Sequence, residues 1–243
     1  MPPARDKKFL HAILLTGAEY DSILKIRQAF PSYEKAWRAS FSALAAAGLS
    51  SECAEAITSA REKTKPDEEM RKLVNQGIAL VAGEDGDFPE ELRNIAAPPL
   101  ALYIKGRLDS KKTRLAVVGT RKATPYGREA ARKIIRDLAE RAEVAIVSGL
   151  AQGIDAEAHR AAVENNLVTM GVLGGGMDSA SFYPPENWRL AEEIATKGGA
   201  VISEYPPGAP ALKHHFIARN RIIAGLSAGT LVILLKPPKN PAH

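Results

Sequence analysis

Two short apolar runs on either side of a helical segment constrain the fold of this chain more than any other feature. Residues 115–118 form the first run, which ends at Gly119, and a helical pattern of about a dozen residues begins at Gly127. Residues 144–147 form the second run, which ends at Ser148. A strand, a helix and a second strand at this spacing predict a βαβ unit of a parallel, doubly wound sheet. Because ligands bind outside the carboxyl ends of such strands, the site is expected in the segments that follow them.

The segments around this unit predict further elements of the same sheet. Strands are expected at 78–83, 100–104, 167–173, 200–203 and 230–235, and helices at 68–76, 188–197 and 219–224. The fold class is therefore predicted to be α/β, with an extended Rossmann-like, doubly wound and mostly parallel sheet. The chain finishes with the sequence PPKNPAH, and no covering helix follows the last strand, so the C-terminal end of this domain is predicted to be incomplete.

Residues 1–65 are predicted to form a small all-helical domain of the SAM or helix-hairpin-helix type. Apolar residues recur there at helical spacing, and Gly48 stands where it would cap a helix. The segment 65–67 (KPD) is a plausible linker, so the Rossmann-like domain is assigned to 66–243. Helix-hairpin-helix units grip DNA through a glycine-containing hairpin, but Gly17 stands almost alone here. A packing or partner role is therefore favoured for this unit over direct DNA binding.

Composition excludes several kinds of protein. The chain has 243 residues and a single cysteine, Cys53, so neither a disulfide framework nor a cysteine-based metal site is expected, and a reducing, cytoplasmic compartment is predicted. No apolar run approaches the roughly 18 residues that span a membrane, so no membrane partner is expected. The net charge of +5 permits an anionic partner without requiring one. The adjacent His214 and His215 point in different directions and make a poor metal pair, so no metal is predicted.

The segment after the first strand carries a candidate phosphate site. Gly119, Thr120 and Arg121 supply a flexible backbone, a hydroxyl and a planar cation at a strand end. A phosphate is bound by this combination of backbone N–H donors, a small polar side chain and a bidentate guanidinium. The alternative is a tight strand-to-helix turn in which Arg121 pairs with a carboxylate.

The segment after the second strand resembles a dinucleotide-binding turn without matching it. Ser148 and Gly149 begin the sequence SGLAQGID, which lacks the regular G-x-G-x-x-G spacing, and no acidic residue stands where the ribose would bind. No nicotinamide, flavin or other cofactor is therefore predicted. Asp155 and His159 lie four residues apart on one helical face. A structural cap and hydrogen bond are favoured for them over a catalytic carboxylate–imidazole pair.

Two later segments add candidate contacts. Gly174 and Gly175 would let a nucleic-acid backbone approach the main chain, unless they only provide positive φ angles in a flexible loop. Tyr183 is favoured as a rigid wall of that loop over a stacking platform. The richest basic stretch is KHHFIARNR (213–221), in which cations flank an aromatic ring. Charges that follow phosphates and a ring that stacks on a base suit a single strand. The predicted DNA contacts in this stretch are Lys213, Phe216, Arg219, Asn220 and Arg221. The alternative is core packing for Phe216 and a plain surface charge for Arg219.

Five ordered blocks of this sequence resemble the DNA-processing protein A (DprA, also called Smf) family. The blocks are 88–106, 117–127, 148–159, 174–187 and 203–227. The resemblance implies binding of single-stranded DNA and loading of the RecA recombinase onto it, in natural transformation and recombination, without turnover of a substrate. It also implies that a C-terminal region, missing here after the last predicted strand, contributes to self-association and to the basic groove. A homodimer is therefore left open.

An enzyme is the rival hypothesis. Nucleoside monophosphate phosphoribohydrolases have a related Rossmann-like sheet. They carry a P-G-G-x-G-T-x-x-E motif in which the glutamate is catalytic. The glycine cluster GGGMDSASF has neither the threonine nor the glutamate at that spacing. Without a positioned carboxylate the reaction lacks an acid–base catalyst, so no catalytic residue is predicted.

Overall fold

The structure is a computed structural model that describes residues 4–108 and 112–233. The helices described in its N-terminal part are α1 (Ala4–Leu14), α2 (Tyr20–Ala29), α3 (Tyr33–Arg38), α4 (Phe41–Ala46), α5 (Ser51–Ala60) and α6 (Pro66–Asn75). Serine hydroxyls cap three of these helices. The hydroxyl oxygens of Ser32, Ser40 and Ser50 each accept a hydrogen bond, at 3.2 Å, from the backbone N–H three residues later. A cap of this kind stabilises a helix by about 1 kcal/mol. Gly48 has a φ of +86°, which confirms its predicted capping position.

Within the described residues, seven strands form one sheet, and this confirms the predicted fold class. The strands are β1 (Ile78–Ala82), β2 (Ala101–Gly106), β3 (Thr113–Gly119), β4 (Val144–Ser148), β5 (Thr169–Val172), β6 (Ala200–Ser203) and β7 (Gly229–Ile233). Their order across the sheet is β1-β2-β6-β5-β4-β3-β7. β1 and β2 pair antiparallel with their neighbours, and the remaining strand pairs are parallel. The order reverses at β3, since β4 to β6 lie on one side of it and β7 on the other.

Helices cover both faces of the sheet. They are α7 (Glu90–Arg93), α8 (Pro125–Arg141), α9 (Ile154–Glu164), α10 (Trp188–Thr196) and α11 (Lys213–Gly225), and a 3₁₀ turn (Pro185–Asn187) precedes α10. Alternate strand residues point to opposite faces: Val117 packs under α8 and α9, whereas Ala116 packs under α11. None of the helices in residues 4–108 and 112–233 is long and apolar enough to cross a bilayer.

The helical unit and the sheet share a core across the predicted boundary at residue 65. One buried cluster contains apolar residues of α1 to α6 together with residues of β1, β2 and α10. The Nδ1 of His11 in α1 lies 2.8 Å from the hydroxyl oxygen of Tyr103 in β2. Lys7 of α1 forms an ion pair with Asp85. The division into domains 1–65 and 66–243 stays a prediction, and buried contacts connect the two parts.

The predicted short helix at 219–224 is wrong in extent, because α11 already begins at Lys213. The residues 214–217 (HHFI) have modest helix propensity and follow a proline-rich loop, so the local pattern favoured an irregular segment. The basic stretch is therefore helical and does not lie in a loop. The last predicted strand, 230–235, corresponds to β7 up to Ile233. Residues 234–243, including the proline-rich end, lie outside the described residues.

Candidate nucleic-acid interface

A cleft of about 850 Å³ lies at the point where the strand order reverses. Doubly wound sheets bind their ligands at such a point, outside the carboxyl ends of the strands. The residues that line this cleft include Gly119, Arg121, Ala151, Asp155, Tyr183, Lys213, Phe216, Ile217, Arg219 and Asn220. The loop after β3 forms one wall and α11 forms the other. The structure thus brings together the first predicted phosphate segment and most of the basic stretch.

Close packing explains the glycine at the end of β3, and a backbone hydrogen bond holds the loop that follows it. A Cβ on Gly119 would overlap the carbonyl oxygen of Ile233 in β7 and fall 2.8 Å from the Cβ of Ile154 in α9. The carbonyl of Thr120 accepts the N–H of Ile154 at 3.1 Å, which joins this loop to the start of α9. The loop is therefore held by its neighbours, and the side chain of Arg121 extends from it into solvent.

The segment after β4 is buried and supports the cleft from below. Ser148 is fully buried and donates its hydroxyl to the carbonyl of Val117 at 2.6 Å. The N–H of Gly149 donates to the carboxylate of Asp155 at 3.1 Å. Neither Ser148 nor Gly149 lines the cleft. The sequence placed both among the DNA contacts, whereas the structure gives them internal partners.

Arg219 is a buried cation whose guanidinium ties two strand ends together. Only 4% of the residue is exposed, and its Nη1 donates to the carbonyl of Gly149 at 2.7 Å and to the carbonyl of Val172. Burial lowers the pKa of Arg219 to about 10, and the nearby carboxylate of Asp155 opposes this shift. Burial raises the pKa of Asp155, while Arg219 and backbone N–H groups oppose that shift. Arg219 thus belongs to the floor of the cleft.

Phe216 forms an aromatic corner with a cation on either side. The Cζ atoms of Arg121 and Arg219 lie 5.3 Å and 5.9 Å from the centre of its ring. Tyr183 meets the ring edge-on at 5.8 Å and is half exposed. This arrangement presents ring surface next to an exposed guanidinium, which is the geometry on which an unpaired base can stack.

Arg121 and Lys213 are the available cations of the cleft. Both are exposed, and neither makes an ion pair with any residue in the described ranges. The alternative in which Arg121 pairs with a carboxylate is therefore not observed. Asn220 lies one helical turn from Phe216, is exposed, and also lines the cleft.

Arg221 is the predicted contact that the structure places elsewhere. Its guanidinium donates to both carboxylate oxygens of Glu204 at 2.5 and 2.6 Å, and its Nε donates to the carbonyl of Ala97 at 2.8 Å. It does not line the cleft. A phosphate contact by Arg221 stays a prediction from the sequence, and we expect none, because Glu204 and backbone carbonyls already accept from most of its donors.

The glycine cluster after β5 makes room for the protein itself. A Cβ on Gly174 would fall 3.1 Å from the ring of Phe216, and one on Gly175 would fall 3.0 Å from the Cα of Ala211. Both glycines are buried and neither has a positive φ. The cluster thus lets the start of α11 pack closely on β5, a purpose that neither sequence interpretation included.

One feature of the site was not foreseen from the sequence, and one expectation from the sequence was met. Ile217 is 75% exposed and lines the cleft, but a single apolar residue in a basic stretch carries no signal of its own. His159 bonds through Nδ1 to the hydroxyl of Thr169 at 2.7 Å, and its pKa is lowered to about 3 mainly by burial. The hydrogen-bonding interpretation of Asp155 and His159 therefore holds, with separate partners for the two residues.

Comparison with known proteins gives the family. Residues 79–237 match the model of the family described as DNA recombination-mediator protein A. The chain is 38% identical over 224 residues to protein Smf from Synechocystis. The aligned region covers 90% of this chain and 55% of that protein. It is 46% identical over 149 residues to DNA processing protein DprA from Streptococcus pneumoniae, which covers 61% of this chain and 51% of that protein. The chain thus spans about half the length of these curated relatives.

Solved structures agree with the sequence relatives. The crystal structure of DprA from Streptococcus pneumoniae has a TM-score of 0.71 at 33% identity, over 93% of this chain and 77% of that one. DNA processing protein A from Helicobacter pylori, studied for its single-stranded DNA binding mode, has a TM-score of 0.54 at 30% identity, over 64% of this chain and 68% of that one. These matches and the family model confirm the resemblance of the five sequence blocks: the chain belongs to the DNA recombination-mediator protein A (DprA/Smf) family.

Proposed function

We propose that this chain binds single-stranded DNA in the cleft between the loop after β3 and α11, and acts as a recombination mediator. The observation that carries the proposal is that two available cations, Arg121 and Lys213, line the cleft together with the half-buried ring of Phe216, over which Arg121 lies. Cations attract phosphates at any sequence, and an aromatic ring stacks on any base, so the contact is independent of sequence. The single-stranded DNA described for the Helicobacter pylori relative supports this choice of ligand.

The buried residues keep this surface in place and do not bind DNA themselves in this proposal. Arg219 holds the ends of β4 and β5 together and lies against Phe216, so the ring has a firm base. A preorganised site loses less conformational entropy on binding. Loading of RecA, self-association and a cytoplasmic location also belong to the proposal, on the strength of the family.

A double variant tests the DNA site. Arg121→Ala with Lys213→Ala should weaken binding of a short fluorescent oligonucleotide, because two phosphate-neutralising cations are removed. The slope of log affinity against log salt should become shallower by about 0.7 for each phosphate that is no longer neutralised. The matched control is Lys63→Ala with Arg136→Ala, which removes the same charge from exposed positions outside the cleft. Equal affinity of the two double variants at low salt would contradict the proposed site.

The ring of Phe216 should contribute binding free energy that does not depend on the salt concentration. Phe216→Leu keeps an apolar side chain but removes the ring, so affinity should fall by about 1–3 kcal/mol while the salt slope stays constant. Phe41→Leu alters an exposed aromatic residue in α4 and should leave affinity unchanged. A salt slope that changes with Phe216→Leu would show that the ring orders the cations and does not stack on a base.

Catalysis is the second candidate, because Asp155 is the carboxylate among the described residues that line the cleft. A buried acid with a raised pKa in a cleft is a candidate catalytic group. Its oxygen, however, accepts from the N–H of Gly149, and the cation of Arg219 lies close by. We therefore favour a structural role. Release of free base from nucleoside monophosphates by the wild type, abolished in Asp155→Asn, would instead establish a phosphoribohydrolase.

A further inference from the structure

Two histidines and a glutamate converge on the side of α11 that faces the N-terminal helices. His214 and His215 begin α11, and Glu19 stands immediately before α2, almost two hundred residues earlier in the chain. One ligand atom of each residue lies within 4.8 Å of the other two, and Glu19 Oε1 lies 3.7 Å from His214 Nε2. The three residues border a second cleft of about 610 Å³, between the N-terminal helices and the proline-rich loop 206–212. None of them lines the proposed DNA cleft.

Glu19 and His215 each lack a hydrogen bond that a side chain in their position would normally make. Glu19 occupies the N-cap position of α2 but accepts no capping hydrogen bond, and its side chain is 68% exposed. His215 is only 6% exposed, and its Nδ1 has no hydrogen-bond partner among the described residues. Its ring stacks on Tyr205 with 3.9 Å between the centroids, which limits its rotation. A buried ring nitrogen without a partner is costly unless something binds it.

The ligand set indicates which ion would bind. Two imidazoles and one carboxylate are a Zn²⁺ set that leaves a fourth position for water. Zn–N and Zn–O bonds of about 2.0–2.2 Å in a tetrahedron place ligand atoms roughly 3.4 Å apart. The 3.7 Å between Glu19 Oε1 and His214 Nε2 is close to this value. The three ligand atoms all lie within 4.8 Å of one another, and rotation of the exposed side chains of Glu19 and His214 can shorten the longer distances. The positive end of the α11 dipole opposes a cation, and the charge of Glu19 offsets it.

We propose that Glu19, His214 and His215 form a Zn²⁺ site that joins the N-terminal helical unit to α11. The sequence argued against a metal because adjacent side chains point in different directions. The structure supplies what the local sequence lacks, since the two rings lie 4.4 Å apart and Glu19 approaches from another segment. Lys213 and Phe216 flank the two histidines, so the ion would also restrain the first turn of the helix that lines the DNA cleft.

Isothermal titration of the untagged full chain with Zn²⁺ tests the site. The wild type should bind one equivalent, and Mg²⁺, which prefers oxygen ligands, should not bind. Glu19→Gln and His214→Gln change exposed side chains, so both variants should fold. Loss of an outer-shell partner already costs about 10–100-fold in metal affinity, so loss of a ligand should cost at least about tenfold.

Two control variants separate ligation from general attraction. Asp21→Asn removes an exposed carboxylate in the same turn of α2, and His243→Gln removes a histidine outside the described residues. Both should retain wild-type Zn²⁺ affinity. Zn²⁺ should also raise the Tm of the wild type and of both controls, but not of Glu19→Gln or His214→Gln. Absence of Zn²⁺ binding to the folded wild type, or equal affinity in all variants, would overturn the proposal and leave only a surface His–Glu ion pair.

Discussion

At the scale of single residues, Arg219 shows that a charged side chain in a cleft is not always available to a ligand. It belongs to the same basic stretch as Lys213, yet its guanidinium bonds to carbonyls of two strand ends. A planar guanidinium can reach two carbonyls at once because its donors are fixed in one plane, although the buried Nε of Arg219 has no hydrogen-bond partner among the described residues. The glycine beside it, Gly149, provides the space for that plane.

Gly149→Ala should therefore destabilise the fold. The added Cβ would fall 2.6 Å from the Cζ of Arg219, so the guanidinium would have to leave its carbonyl partners. Overpacking of this kind costs about 1–3 kcal/mol in the free energy of unfolding, which urea denaturation measures. Gly229→Ala is the matched control, since its nearest neighbour would be Leu115 at 3.8 Å. Equal stability of the two variants would show that Arg219 can move without cost.

At the scale of elements, residues on different faces of α11 have different roles. Lys213, Phe216, Ile217 and Asn220 are spaced by three or four residues and line the cleft. Arg219 points inward, and Arg221 points towards Glu204. The helical period thus explains why one basic stretch contains an available cation, a buried one and a paired one.

Arg221→Ala should lower stability without changing DNA affinity. The variant leaves the partly buried carboxylate of Glu204 and the carbonyl of Ala97 without their donor, which should cost about 1–3 kcal/mol. Urea denaturation and the oligonucleotide titration would measure the two quantities on the same sample. The double variant with Glu204→Gln should recover part of the stability, since the uncompensated charge is gone. A fall in DNA affinity like that of Lys213→Ala would contradict the assignment of Arg221.

At the scale of the whole molecule, the helical unit and the sheet are joined by buried polar contacts as well as by apolar packing. His11 of α1 is 2% exposed and bonds to Tyr103 of β2, which is fully buried. Burial lowers the pKa of His11 to about 4, a shift that Glu69 opposes and Lys72 reinforces. The junction is therefore built around a neutral imidazole.

This junction should make stability depend on pH. Between about pH 6.5 and 4 the unfolded chain binds a proton at His11 that the folded chain excludes, so the free energy of unfolding falls as the pH falls. Each such proton contributes a slope of up to about 1.4 kcal/mol per pH unit. His11→Gln should reduce the slope measured by urea denaturation between pH 7 and 4.5. Tyr103→Phe, which keeps the imidazole, should be less stable at each pH but retain most of the slope; equal slopes for His11→Gln and the wild type would contradict the prediction.

The sequence by itself determined the sheet, most of its helices and the family. Strand runs such as 144–147, the helix after Gly127 and the ordered motif blocks are local patterns, and local patterns depend on neighbours within a few residues. It also located the candidate site at the ends of β3 and β4, where the cleft lies, since parallel strands bring their carboxyl ends to one edge.

Only the tertiary structure decided what each site residue does. Ser148, Gly149 and Arg219 support the cleft from inside, Arg221 binds Glu204, and the glycines after β5 admit α11. Glu19 reaches His214 from the opposite end of the chain. These roles follow from which atoms meet across segments tens to hundreds of residues apart. No local pattern contains that information, because the same arginine binds a phosphate, a carbonyl or a carboxylate according to what packs against it.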